Sequence, residues 1–156
     1  MELSRRNMAR RDDSSNATDS ERTTGTAGTS GLDPAVRSAE AVDYEAVDAA
    51  DGLRKGLLIG PEHGAPTFAL RRFTLDPGAE VPKHTNEIEH EQYVLAGEYV
   101  VGIGEAEHTV GAGDSLLIPA GTVHWYRNDS EGQGAFLCAV PKGDDEIELA
   151  EETSSE

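Results

Sequence analysis

The chain has 156 residues, one cysteine, and 30 acidic against 13 basic residues, a formal net charge of -17. That length limits it to one ordinary domain, so any site has to be built from a single core. Charge of this sign repels phosphate backbones and anionic membrane surfaces, which argues against nucleic acid and membranes as partners, and no run nears the ~20 apolar residues of a membrane span.

In chain order, residues 1–33 are rich in Ser, Thr, Gly and charge and have almost nothing apolar to bury, so a disordered tail is expected. The opening "MELSRRNMARRDD" contains paired arginines that resemble a twin-arginine export signal. Arg10, Arg11, Asp12 and Asp13 stand where its apolar region would have to be, so no export signal is expected. Residues 34–52 read as an extended or short helical lead-in, with Asp33 as N-cap and Pro34 at the first helical position. From Leu53 to Lys142 the sequence is a series of short apolar runs, among them "TFALRRFTL", "QYVLAG", "EYVVGIG", "SLLIPAG" and "GAFLCAVPKG". Val, Ile, Leu, Tyr and Phe fill them and Gly, Pro, Asp or Asn bound them, which predicts an all-β barrel or jelly roll over 53–142. Residues 143–156 read as an acidic, mostly solvated tail that Ile147 and Leu149 partly anchor. The single Cys138 lies in an apolar run and fits a reducing compartment, the cytoplasm.

"KHTNEIEHEQYVL" places His84 and His90 six residues apart. Two strands joined by so short a connection are expected to be antiparallel neighbours, with opposed Cβ atoms roughly 4.5–5.5 Å apart. That lets two imidazoles share one ion at roughly 2.0–2.2 Å. His124, after the Pro119-Ala120-Gly121 turn, supplies a third corner. Three imidazoles from three strands suit a divalent first-row metal with open positions for ligands. His63 and His108 lack such company and read as ordinary polar residues.

Here the chain resembles the cupin superfamily. Its second motif (Gly, five residues, Pro, one, Gly, two, His, three, Asn) is met in full by Gly113, Pro119, Gly121, His124 and Asn128. The first motif (Gly, five residues, His-x-His, three or four, Glu, six, Gly) is met at Gly78, His84 and Gly97, with Asn86 in the second His place and His90 in the Glu place. Glu91 does not fit the spacing at either end. The resemblance, strongest to small single-domain cupins with an all-histidine manganese site, implies a double-stranded β-helix. It also implies a metal held by His84, His90 and His124 with Asn86 in the fourth place, either as a ligand itself or as a donor beside a bound water: manganese first, with iron, nickel, zinc or copper as alternatives.

An amide oxygen is a weaker, neutral ligand, so the cation keeps its full charge and attracts anions. Arg71 and Arg72 point to opposite faces; the resemblance turns Arg71 inward, towards a substrate carboxylate. Tyr126 shares the face of His124, and Phe136 and Cys138 share a face on a late strand; all three line the pocket or pack beneath it. The family implies a metal-dependent oxidoreductase of the dioxygenase type acting on a small, anionic organic substrate, with a non-catalytic small-ligand-binding or sensing protein as the alternative. It also implies a homodimer, with the segment before Leu53 as an exchanged strand.

Residues 35–156 hold 24 acidic against eight basic residues. Self-repulsion of that density is relieved by counterions, which predicts a protein of a high-salt cytoplasm. Its thermal midpoint is expected to rise from dilute buffer to molar KCl; an unchanged midpoint contradicts the halophilic reading.

Overall fold

In the computed structural model the described residues are 32–143 and 145–150. The expectation for the N-terminal tail falls, but for Leu32 and Asp33, outside them. The lead-in is helical later than expected: its one 3-10 turn is Ala39–Ala41, and Asp33 caps nothing. Ten strands follow: β1 (Tyr44–Ala46), β2 (Asp51–Ile59), β3 (Phe68–Thr85), β4 (His90–Ala96), β5 (Glu98–Ile103), β6 (Ala106–Gly111), β7 (Ser115–Ile118), β8 (His124–Arg127), β9 (Gly134–Pro141) and β10 (Glu148–Leu149). They form a curled antiparallel jelly roll, with neighbours in the order β6-β5-β8-β3-β9-β4-β7. No helix among the described residues is long and apolar enough to cross a membrane.

The 18-residue β3 belongs to both halves of the barrel. Its first half, Phe68 to Leu75, pairs with β9, and its second half, Glu80 to His84, pairs with β8. The corner between them is Asp76-Pro77-Gly78, where Gly78 takes φ +80°, a backbone conformation that glycine tolerates best. Alternation then sorts the side chains: Phe73, Phe136 and Val94 lie abreast on β3, β9 and β4, facing in, while Leu70, Ala139, Glu91 and Leu117 face out. Phe136 stacks between Phe73 and Tyr126, with centroids 5.0 and 5.5 Å away. β1 pairs with β2 of its own chain.

The expected β3–β4 hairpin does not form. β9 lies between these strands, so His84 and His90 are not cross-strand partners. The backbone groups of β3 are taken by β2, β8, β9 and β10, which leaves β4 no edge there. The connection after Thr85 instead carries the chain across the barrel mouth.

Asn128, the last residue of the second motif, holds the corner from inside. Its Nδ2 donates to the Leu75 and Gly132 carbonyls at 3.0 and 2.9 Å, and its Oδ1 accepts from the Ser130 amide at 3.1 Å and hydroxyl at 2.7 Å. It is fully buried, and truncation removes all four of these hydrogen bonds from the corner. Asn128→Ala is expected to cost about 3 kcal/mol, read as a lower urea midpoint.

Candidate metal centre

Three strands bring the histidines together. His84 and His124 are register partners on β3 and β8, with ring centroids 4.1 Å apart. His90 opens β4 in the other half and brings its ring to 5.8 Å from that of His124. All three are buried, between 2 and 7 % exposed, whereas Glu91 is exposed. The β7–β8 turn is pinned over them by the Gly121 amide, which donates to the Asn86 carbonyl at 2.8 Å. Gly121 there has φ +75°, so the motif glycine both makes the turn and brings His124 to the Asn86 loop.

Hydrogen bonds fix two of the ring tautomers. His84 Nδ1 lies 2.8 Å from the Pro82 carbonyl and His124 Nδ1 2.9 Å from the Thr122 carbonyl. A carbonyl can only accept, so each Nδ1 carries the proton and each Nε2 keeps its lone pair. Burial lowers the pKa of all three rings. His124 falls to about 4, with the nearby His84 adding to the effect, and His90 to about 3, with Arg71, His124 and His84 each opposing a further charge. At neutral pH the rings are uncharged bases.

Asn86, 4 % exposed, donates its Nδ2 to the Glu146 carbonyl at 3.1 Å, and its Oδ1 is buried without a partner. Arg71 points inward, as its exposed neighbour contact at Arg72 to Tyr44 requires by alternation. Its Nη2 donates to Cys138 Sγ at 3.1 Å and its Nε has no partner. Cys138 lies in the row Arg71, Cys138, Gln92, Leu116 across β3, β9, β4 and β7, behind Arg71 and Gln92 and not at the cavity surface. Gln92 Nε2 donates to the Tyr126 hydroxyl at 2.7 Å, while Gln92 Oε1 is unpartnered. Tyr126 and Phe136 form the floor of a cavity of about 60 Å³, ringed by the three histidines, Asn86, Arg71 and Gln92. Three orphaned polar atoms around one small cavity mark a place for a ligand. His63 instead accepts from the Gly60 amide in a 3-10 turn, and His108 is exposed on β6.

Two contributors escape the sequence reading. Gln92 follows His90 by two, so strand alternation sends both inward, a signal that was available. Asp145 is different, because it lies in the tail expected to be solvated. Its Oδ2 pairs with Arg71 Nη1, and its Oδ1 lies 3.0 Å from His90 Nε2. A neutral His90 makes this contact by donating its Nε2 proton. Among the described residues, then, no three His, Cys, Asp or Glu side chains stand together as a ready-made metal cluster. By donor chemistry the residues nevertheless fit a divalent cation: two lone-pair nitrogens, a third imidazole and an unsatisfied amide oxygen border one cavity.

A family model described as the cupin domain matches residues 71–140. Residues 71–140 are thus a cupin domain. Among solved structures this cupin is similar to the polyketide cyclase RemF from Streptomyces resistomycificus, with 26% identity, TM-score 0.70, and coverage of 78% of this chain and 88% of that one. It is also similar to a cupin-2 domain protein from Rhodospirillum rubrum (22%, TM-score 0.67, 78% and 83% covered) and to a predicted oxalate decarboxylase from Thermotoga maritima (24%, TM-score 0.60, 69% and 98%). A comparison with curated proteins finds no match.

The depressed histidine pKa values carry a stability signature in metal-free protein. Between about pH 6.5 and 4 the unfolded chain takes up protons on His90 and His124 and the folded chain does not, and His84 adds to the effect in the same direction. Stability therefore falls as the pH drops through that window, by up to about 1.4 kcal/mol per pH unit for each ring. Urea midpoints at pH 7, 6 and 5 check this, and His124→Gln is expected to flatten the dependence relative to wild type.

Proposed function

We propose that this cupin is a metal-dependent enzyme of the dioxygenase type, acting on a small organic anion. The observation that carries the reading is a cavity bordered by uncharged imidazoles and an orphaned amide oxygen, with the buried cation Arg71 at its edge. His84, His90, His124 and Asn86 would hold the metal; manganese leads the candidates and iron, nickel, zinc or copper follow. When bound, such a cation supplies Lewis acidity and, as manganese or iron, one-electron chemistry. All four donors are neutral, so the site keeps a positive potential that favours an anionic ligand. Arg71 would take a substrate carboxylate through its guanidinium fork. Tyr126 and Phe136 hold an apolar floor that excludes bulk water.

A second reading has its own support. RemF, at 26% identity over 88% of its length, is a polyketide cyclase, which favours ring closure on a polyketide without net oxidation. The same barrel is shared by a predicted oxalate decarboxylase, so fold alone does not choose the reaction. A binding protein without turnover is the third outcome. The homodimer is proposed on the outer face, where Phe68, Tyr93 and Leu117 are exposed.

Elemental analysis of protein purified without added metal is expected to find near-stoichiometric transition metal. His84→Ala, His90→Ala and His124→Ala should each lose most of it. Oxygen uptake by manganese- or iron-loaded protein across a panel of aromatic and keto carboxylates marks the oxidoreductase. Cyclised product without oxygen uptake marks the cyclase, and retained metal without turnover marks the binder.

A further inference from the structure

The C-terminal segment from Asp145 to Ala150 lies across the site and does not belong to the barrel core. β2 leaves β3 at Glu80, and β10 takes the edge beyond it, pairing Leu149 with His84 and Glu148 with Thr85. The Ala150 amide donates to the Lys83 carbonyl at 3.0 Å, and Asn86 holds the Glu146 carbonyl. Ile147 faces the cavity, while Leu149 is exposed. The anchor is thus two strand residues, a few hydrogen bonds and one ion pair.

That ion pair is a wall with space on both sides. Inside lies the cavity of about 60 Å³, well short of the roughly 300–1,000 Å³ of pockets that hold organic ligands. It has room for a few waters. Outside lies a hollow of about 430 Å³ lined by Lys55, Ile88, Val140 and Lys142, with Arg71 and Asp145 at its base. Residues 35–156 hold only eight basic side chains, and three of them, Lys55, Arg71 and Lys142, converge on this hollow. Burial, with the Arg71 cation adding to it and Glu45 opposing it, lowers the Lys55 pKa. The carboxylate of Asp145 meets Arg71 Nη1 through one oxygen, and Arg71 Nε remains buried without a partner. A guanidinium offers two parallel donors to a carboxylate, and Asp145 satisfies that fork incompletely.

We infer that Arg71, beside His90, forms a carboxylate subsite which Asp145 occupies as an internal stand-in, and that an organic carboxylate entering past Lys55 and Lys142 displaces Asp145 and lifts the strap. This deepens the proposed function: it names a carboxylate as the group recognised and rests on the same cavity. Arriving ligand exchanges one anion for another on Arg71, so no buried charge is left unpaired at any stage. Opening costs the short β10 pairing and enlarges the cavity, since Asp145 and Ile147 form part of its wall.

Succinate serves as the probe, with its neutral dimethyl ester as control, and metal content is measured in every sample so that loss of the metal centre is read separately. Saturating succinate is expected to speed hydrogen exchange at the Ala150 amide about tenfold in the full chain, and the ester to leave it unchanged. Asp145→Asn, and a chain ending at Asp144, should each bind succinate at least tenfold more tightly than wild type by calorimetry, and Arg71→Met should abolish binding in the truncated chain. An Ala150 exchange rate indifferent to succinate, or truncated protein that binds it no more tightly than wild type, overturns the inference even where the metal is fully retained.

Discussion

The site depends on one irregularity in β3. Apart from the corner at Asp76-Pro77-Gly78, the odd-numbered residues of this strand from Arg71 to Val81 face in: Arg71, Phe73, Leu75, Ala79 and Val81. Simple alternation would continue with Lys83 inward and His84 in solvent. The pairing with β8 instead shifts register between Val81 and His84, so Pro82 and Lys83 are both exposed and His84 turns in to face His124. A bulge of this kind re-aims a side chain at the cost of a local kink. Pro82 suits it because proline has no amide to withhold from the ladder, and its carbonyl then fixes the His84 tautomer. One backbone defect therefore sets both the direction and the proton position of a ring.

Charge makes the second constraint. The folded domain is strongly acidic, yet the cavity is furnished with neutral imidazoles, two amides and a buried guanidinium. Desolvation holds the rings neutral, and the same desolvation makes Arg71 costly without an anion. The chain supplies that anion from its own tail. Local electroneutrality, and not the overall charge, decides which groups can share so small a space.

Much of the barrel was legible because turn residues and β-rich runs report directly on strands, and because the spacing from Gly113 to Asn128 encodes real contacts: a turn at Gly121, a ring at His124, a fully bonded corner at Asn128. The β3–β4 relation was not legible, since sequence proximity says nothing about which strand intervenes, and a jelly roll inserts β9 between them. The inward turn of His84 came from motif spacing and would have been missed by alternation alone. Asp145 has no fixed offset from any motif; its place is set by a tail crossing the mouth, and an acidic residue in an acidic tail looks like solvated charge. Cys138 shares the inward face with Phe136, but Arg71 and Gln92 close over its sulfur, which alternation does not report, and keep it off the cavity surface.

The placement of β10 separates two duties that enzymes often entangle. The barrel's core cluster and its Asn128 corner include none of the last six described residues, which meet the cavity through Asp145 and Ile147 and the barrel edge through β10. Exchanges there that keep an anion for Arg71 can remodel what is admitted while leaving the core packing in place. A lineage carrying this scaffold can therefore explore new chemical diets by rewriting a short terminal ribbon.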